Sequence, residues 1–172
     1  MKQITIYTDG ACKKNPGPGG YGVVLQYGEK RKELAAGYRL TTNNRMEIMS
    51  AIAGLEALKE PCEVHILSDS QYLVNAIEKG WARRWKAKNW KRGKNEKAVN
   101  PDLWERLLAL CKIHRVRFEW LKGHSGHSEN ERCDKLASDA AVNHNHAIDE
   151  GYEKQEAASA SPKTKSFLPV GS

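Results

Sequence analysis

Four carboxylates stand where strands and helices could bring them together. Asp9 closes the strand-like run KQITIYTD, Asp69 closes EVHILSD, and Glu47 and Asp134 fall in the first turns of two helices. Hard divalent cations such as Mg2+ take oxygen ligands and are usually held by a few carboxylates together with a substrate's own phosphate oxygens. Acids from separate elements meeting at one sheet edge therefore suit phosphate chemistry. Hydrolysis of a phosphodiester at neutral pH needs a nucleophilic water and compensation of charge on the attacked and leaving oxygens, which two ions about 3.5–4 Å apart supply together. Carboxylates packed without metal raise one another's pKa values, so such a site is strained when empty. Spacing alone leaves the convergence open, and each acid has a plainer reading. Asp9-Gly10 could be a turn pair, Asp69 an N-cap, Glu47 the reciprocal acid of a cap at Asn44, and Asp134 a first-turn aspartate favoured by the helix dipole.

The elements that must position these acids follow from periodicity and punctuation. Residues 2–9 alternate, with Ile4 and Ile6 on one side and Thr5, Tyr7 and Asp9 on the other, and NPGPGG at 15–20 is a dense turn signal before YGVVLQYG. A third strand near 31–41 leads to a helix over 44–59, with Ile48, Met49, Ile52 and Leu55 as its apolar stripe and Pro61 beyond its end. A strand over 63–69 and a helix near 70–79 come next. After a basic stretch, Asn100-Pro101 reads as N-cap and first residue of another helix. Strand 115–121 alternates Val116, Phe118 and Trp120. The last core helix starts at Ser128, whose Ser-x-x-Glu spacing to Glu131 reads as a capping box, and carries Cys133, Leu136, Ala137, Ala140 and Ala141 at helical spacing. Three strands followed by helix and strand units predict a mixed sheet with helices on its faces. From about residue 143 the pattern lapses, and EKQEAASASPKTKS has the composition of a flexible tail.

Composition narrows the class. At 172 residues the chain suits one domain, able to bury roughly two-thirds of the surface its unfolded form exposes. Cys12, Cys62, Cys111 and Cys133 form no CxxC pair, and the N-terminus lacks a signal-peptide core, so free thiols in a reducing cytoplasm are expected. No apolar run approaches bilayer length, and nothing calls for more than a monomer. The net charge of +7 is concentrated: residues 79–97 hold nine Lys or Arg against one acid, and the rest of the chain sums to −1. Trp81, Trp85 and Trp90 interleave with those charges, Trp81 and Trp85 sharing a helix face. A solvated basic helix is the bland reading; the nine-to-one imbalance favours a polyanionic partner.

The segments around the acids are YTDGACKKNPGPGGYG, TTNNRMEIM, LSDSQYLV and KGHSGHSENERCDKLA. In this order, from about residue 2 to about residue 142, they closely resemble bacterial type-1 ribonuclease H. The resemblance implies an α/β fold with a five-stranded mixed sheet flanked by helices, a catalytic domain over 1–142, a basic protrusion over 79–97 and a tail over 143–172. It implies that Asp9, Glu47, Asp69 and Asp134 are the catalytic, metal-binding acids, holding two Mg2+ with Mn2+ as substitute, and that the enzyme cleaves the RNA strand of RNA/DNA hybrids to 3′-hydroxyl and 5′-phosphate ends. His124, in the Gly-rich loop before the last helix, would handle a proton or aid product release, as an imidazole titrating near neutral pH can; His127 would be structural. By the same resemblance Cys12, Asn15, Asn43, Asn44 and Gln71 touch sugars and bases, while Thr42 and the basic segment (Trp81, Arg83, Arg84, Trp85, Lys86, Lys88) meet DNA-strand phosphates. Neutral polar groups suit the reading of 2′-hydroxyls in a wide, shallow minor groove.

Several competing readings stand beside this one. His124-x-x-His127 with Cys133 could hold zinc, although no cysteine pair accompanies them. A binding module without catalysis would gain nothing from acids beside a polyanion's path. A transposase-like relative acting on DNA would share the carboxylates but not the TTNNRME block, the His124 loop or the Trp-rich basic segment. His65, His114, His144 and His146 carry no motif, and Lys13 and Lys14 add charge just after the first acid, to no assigned end.

Overall fold

The computed structural model describes residues 1–94, 96–143 and 145–166, with side chains through residue 159. Five strands, β1 (Lys2–Cys12), β2 (Gly17–Tyr27), β3 (Lys30–Thr41), β4 (Cys62–Ser68) and β5 (Arg115–Trp120), form one sheet in the order β3-β2-β1-β4-β5. β1 to β3 are an antiparallel meander, whereas β4 lies parallel to both β1 and β5. This is the mixed sheet the strand-then-helix order predicts.

The helices are α1 (Asn43–Glu56), α2 (Gln71–Glu78), α3 (Trp81–Ala87), α4 (Pro101–Ile113), α5 (Ser128–Val142) and α6 (Glu150–Ser166). The apolar stripe of α1 is buried with Ile4, Ile6, Ile66, Leu73, Trp104 and Leu107 in one cluster, each large aliphatic side chain contributing about 1.5–3 kcal/mol by its burial. On the opposite face α5 lies across β1 to β3. It approaches closely because β2 offers Gly20 and Gly22: a Cβ at Gly22 would collide with the Cys133 carbonyl, and one at Gly20 would stand 2.6 Å from the Ala137 carbonyl. Alternation along β1 thus sends Ile4 and Ile6 toward α1 and aligns Tyr7 and Asp9 with the α5 face, where Cys133 Sγ donates to the Tyr7 carbonyl at 3.2 Å.

Several expected element ends move. α1 is capped by Thr42, whose hydroxyl accepts from the Arg45 amide at 3.2 Å, so Asn44 is not the cap and Glu47 lies in the second turn. Ser70, not Asp69, caps α2 through the Leu73 amide. The cap of α5 is His127, with no side-chain bond, so the Ser128/Glu131 capping box is not formed and Asp134 too lies in a second turn. Asn100 does precede Pro101, but its backbone is left-handed and its side chain is turned to Arg45 and Tyr72 instead of capping.

The largest difference lies at the C-terminus. In place of a flexible tail from residue 143, the Ala147 backbone bonds to Gly37 and Arg39, and Asp149 is buried with α6 following it. The anchor is ionic. Arg45, 1% exposed, meets Asp149 through Nε at 2.7 Å and Asp102 through Nη2 at 2.7 Å, and Thr41 Oγ1 donates to Asp149 at 2.7 Å. The folded body therefore extends beyond residue 142. His144 and residues 167–172 of the expected tail lie outside the described residues.

Candidate active site

The parallel pairing of β1 and β4 sets the first two acids. Their register ends at Thr8 opposite Ser68, so the next residues, Asp9 and Asp69, are neighbours at the carboxyl edge of the sheet, where ligands of open α/β sheets gather. Glu47 comes from α1, which reaches this edge because Gly10 has no side chain; a Cβ there would lie 2.5 Å from the Glu47 amide nitrogen. Carboxylate oxygens of Asp9, Glu47 and Asp69 all fall within 4.8 Å of one another, and among the described residues this is the group of acid, His and Cys side chains that could hold a metal ion. His124, His127 and Cys133 form no such group.

The electrostatics are those of uncompensated anions. Asp9 and Glu47 are 4% exposed each. Burial first, then the charge of Asp69, push Asp9 up to about 8; burial and the charges of Asp9 and Asp69 push Glu47 well above the usual carboxylate range. The Gly10 amide donates to Asp9 Oδ1 at 2.9 Å, but Glu47 Oε2 is buried with no hydrogen-bond partner. An orphaned hard oxygen amid three converging carboxylates is what a divalent cation would satisfy, so the donor set fits such an ion.

Asp69 is held from behind: Trp120 Nε1 donates to its carbonyl at 3.1 Å, and Gly123 passes so close that a Cβ would lie 2.8 Å from Asp69 Oδ2. Neither contact has a signature in the sequence, because both depend on how β5 and its following loop cross the end of β4. Asp134, half-buried on α5, adds to the negative field at Asp9 but stands outside the close trio. His124 is exposed, one residue past Gly123, with a left-handed backbone (φ 57°).

The expected contact residues fall on three turns at the same edge. Cys12 Sγ lies 3.5 Å from the carbonyls of Gly17 and Thr41. Asn15 Oδ1 accepts from the Asn43 amide at 3.1 Å, tying the turn after β1 to the start of α1. Thr42 spends its hydroxyl on the cap, while Asn44 and Gln71 are exposed. In the basic segment the charges and the tryptophans divide the work. Arg83, Arg84, Lys86 and Lys88 are exposed, whereas Trp81 and Trp85 are half-buried, their rings 6.5 Å apart, with Trp85 6.2 Å from the fully buried Trp104.

Comparison with known proteins places the chain in a family. Residues 1–142 match the RNase H family. The chain is similar to a ribonuclease H of Syntrophus aciditrophicus, 67% identical over 152 residues that make up 88% of each protein. It is also similar to a ribonuclease HI of Synechocystis, 58% identical over 88% of this chain and 95% of that one. Among solved structures it resembles LC9-RNase H1, a type 1 ribonuclease H with the type 2 active-site motif, with a TM-score of 0.74, 29% identity, and coverage of 90% of this chain and 80% of that one. The chain belongs to the ribonuclease H family, in its bacterial type-1 branch, and is a nuclease.

Proposed function

We propose that this enzyme is an endonuclease that hydrolyses the RNA strand of RNA/DNA hybrids, leaving 3′-hydroxyl and 5′-phosphate ends. The observation that carries the reading is the trio Asp9, Glu47 and Asp69, converging within 4.8 Å at the sheet edge with one buried oxygen unpartnered. Two Mg2+, or Mn2+, held by these acids and Asp134 would supply an activated water and compensate charge on the attacked and leaving oxygens. The chain's own residues do the rest. Gly10 lets α1 bring Glu47 to the sheet edge, and Gly123 lets the loop after β5 close on Asp69. His124, exposed and one residue past the Gly123 that packs on Asp69, relays a proton at its ring or helps release product; His124→Ala slows turnover by about 100- to 10,000-fold with a smaller loss in hybrid affinity, and equal losses in both would make it a structural loop residue. Cys12, Asn15, Asn43, Asn44 and Gln71 offer neutral hydrogen-bonding groups to 2′-hydroxyls without base preference. Thr42 and the basic segment take DNA-strand phosphates, with Trp81 and Trp85 fixing the angle of α3.

A monomer working in a reducing cytoplasm fits the four free thiols, and no helix among the described residues is long and apolar enough to cross a membrane. The deciding experiment incubates the protein with end-labelled RNA/DNA, RNA/RNA and DNA/DNA duplexes, with and without Mg2+. Metal-dependent cutting confined to the RNA strand of the hybrid is expected; cutting of DNA/DNA, or binding without cutting, contradicts the reading.

A further inference from the structure

The turn between β1 and β2 carries two cations that neither the fold nor the acid site uses. Lys13 and Lys14 directly follow Cys12, and both are exposed. Among the described residues neither ammonium has a carboxylate or hydrogen-bond partner. The largest influences on Asp9 are its burial and the neighbouring Asp69, Glu47 and Asp134, not these lysines.

Their backbone is nonetheless held firmly. The Lys13 amide donates to the Pro18 carbonyl at 2.7 Å, and Asn15 ties the turn to the Asn43 amide. Gly17 packs directly on the carbonyls of Lys13 and Lys14. Lys14 has φ 52°, a left-handed conformation in which glycine or asparagine is at ease and a lysine is strained. Strain of this kind persists where the surroundings over-determine it, and it points toward use. A flexible, charged side chain thus stands at a position whose backbone asks for a small one.

Location supplies the use. Lys13 is four residues beyond Asp9, one past the end of β1 at Cys12, so its Cα is at most about 13 Å from that of Asp9 at 3.3 Å per residue. The other concentration of positive charge, residues 79–97, follows α2 on the β4 side of the acids. Cations on both flanks of the acids would each add a phosphate contact to a polyanion laid across them. We propose that Lys13 and Lys14 form a second phosphate-binding station, engaging phosphates of the cleaved strand within about four nucleotides of the scissile bond at 3.4 Å of axial rise per nucleotide. The proposal rests on the reading of the substrate as a hybrid duplex.

The test is a salt titration of hybrid binding in chelator, where nothing is cut, comparing wild type with Lys13→Gln/Lys14→Asn. Asparagine suits the left-handed turn, so the unfolding midpoint should hold or rise, and a fall would show that the lysines serve the fold. Two lost phosphate contacts flatten the slope of log affinity against log salt by about 1.4–1.8, so the weakening between 50 and 200 mM salt becomes roughly ten-fold smaller in the variant. Methylphosphonates placed singly along each strand should weaken wild-type binding at one or two RNA-strand positions to which the variant is indifferent. An unchanged slope, or coupling confined to the DNA strand, overturns the proposal while leaving the enzyme a hybrid nuclease. Wild type that neither binds nor cuts hybrid overturns the functional reading and this proposal with it.

Discussion

Arg45 and Glu47 lie two residues apart on α1, both buried and both charged in water, yet their surroundings are opposite. Arg45 has five hydrogen bonds, two to Asp149, two to Asp102 and one to Asn100. Glu47 faces two more carboxylates and keeps one oxygen with no partner. Desolvating a charge is costly in either case; at Arg45 the counter-charges offset the cost, whereas at Glu47 burial and two neighbouring carboxylates outweigh what the Gly10 backbone amide offers. Burial of charge alone therefore does not mark a functional site. What separates the two is compensation, and α1 carries both cases, so the node at Arg45 also holds the helix that presents Glu47.

The contrast breaks most visibly at the compensated end. Asp149→Ala leaves Arg45 buried with one carboxylate gone and should cost about 3–5 kcal/mol in urea unfolding, whereas removing the exposed partner of a surface pair such as Lys135–Asp139 should cost about 1 kcal/mol or less. Equal, small losses would mean that water replaces Asp149 and that the C-terminal segment is no anchor.

At the uncompensated end the sign reverses. Asp9→Asn should stabilise the protein in chelator by about 0.5–2 kcal/mol while losing most metal-dependent cleavage. The gain depends on pH. Burial and Asp69 push the folded Asp9 up to about 8 from an ordinary 3.8, so the fold binds that proton more tightly than the unfolded chain does. The stability this provides is complete below about pH 4 and is lost as pH rises toward 8. The gap in unfolding midpoint between Asp9→Asn and wild type should therefore widen from pH 5 to pH 8 in chelator. A constant gap would trace the effect to a lost hydrogen bond or cap.

The two ends also differ in how far they could be read from sequence. Asp9, Glu47 and Asp69 sit in short local blocks, and the β1 alternation and the order of elements place two of them at strand ends. Arg45 sits in such a block as well, but its partners Asp102 and Asp149 are 57 and 104 residues away. Pairing over that distance leaves no periodicity, so the sequence does not distinguish Asp149 from the polar residues around it. The caps at Thr42 and His127 miss expectation by one or two positions because Ser, Thr and Asn neighbours compete for the same role and tertiary packing decides among them. Trp120 and Gly123, which hold Asp69, depend on how β5 and its following loop cross the end of β4, and no local pattern encodes that crossing.

Thermal unfolding followed against Mg2+ or Mn2+ concentration, for wild type and Glu47→Gln, most directly tests whether the unpaired charge is kept for metal. Ligand at about 100 times its dissociation constant stabilises by about 2.7 kcal/mol, on the order of 5–10 °C for a chain of this size. Wild type should begin lower in chelator and climb by that amount, while Glu47→Gln should begin higher and climb little. Parallel climbs in the two proteins, or none in wild type, would contradict the assignment of Glu47 as a buried anion held for a cation.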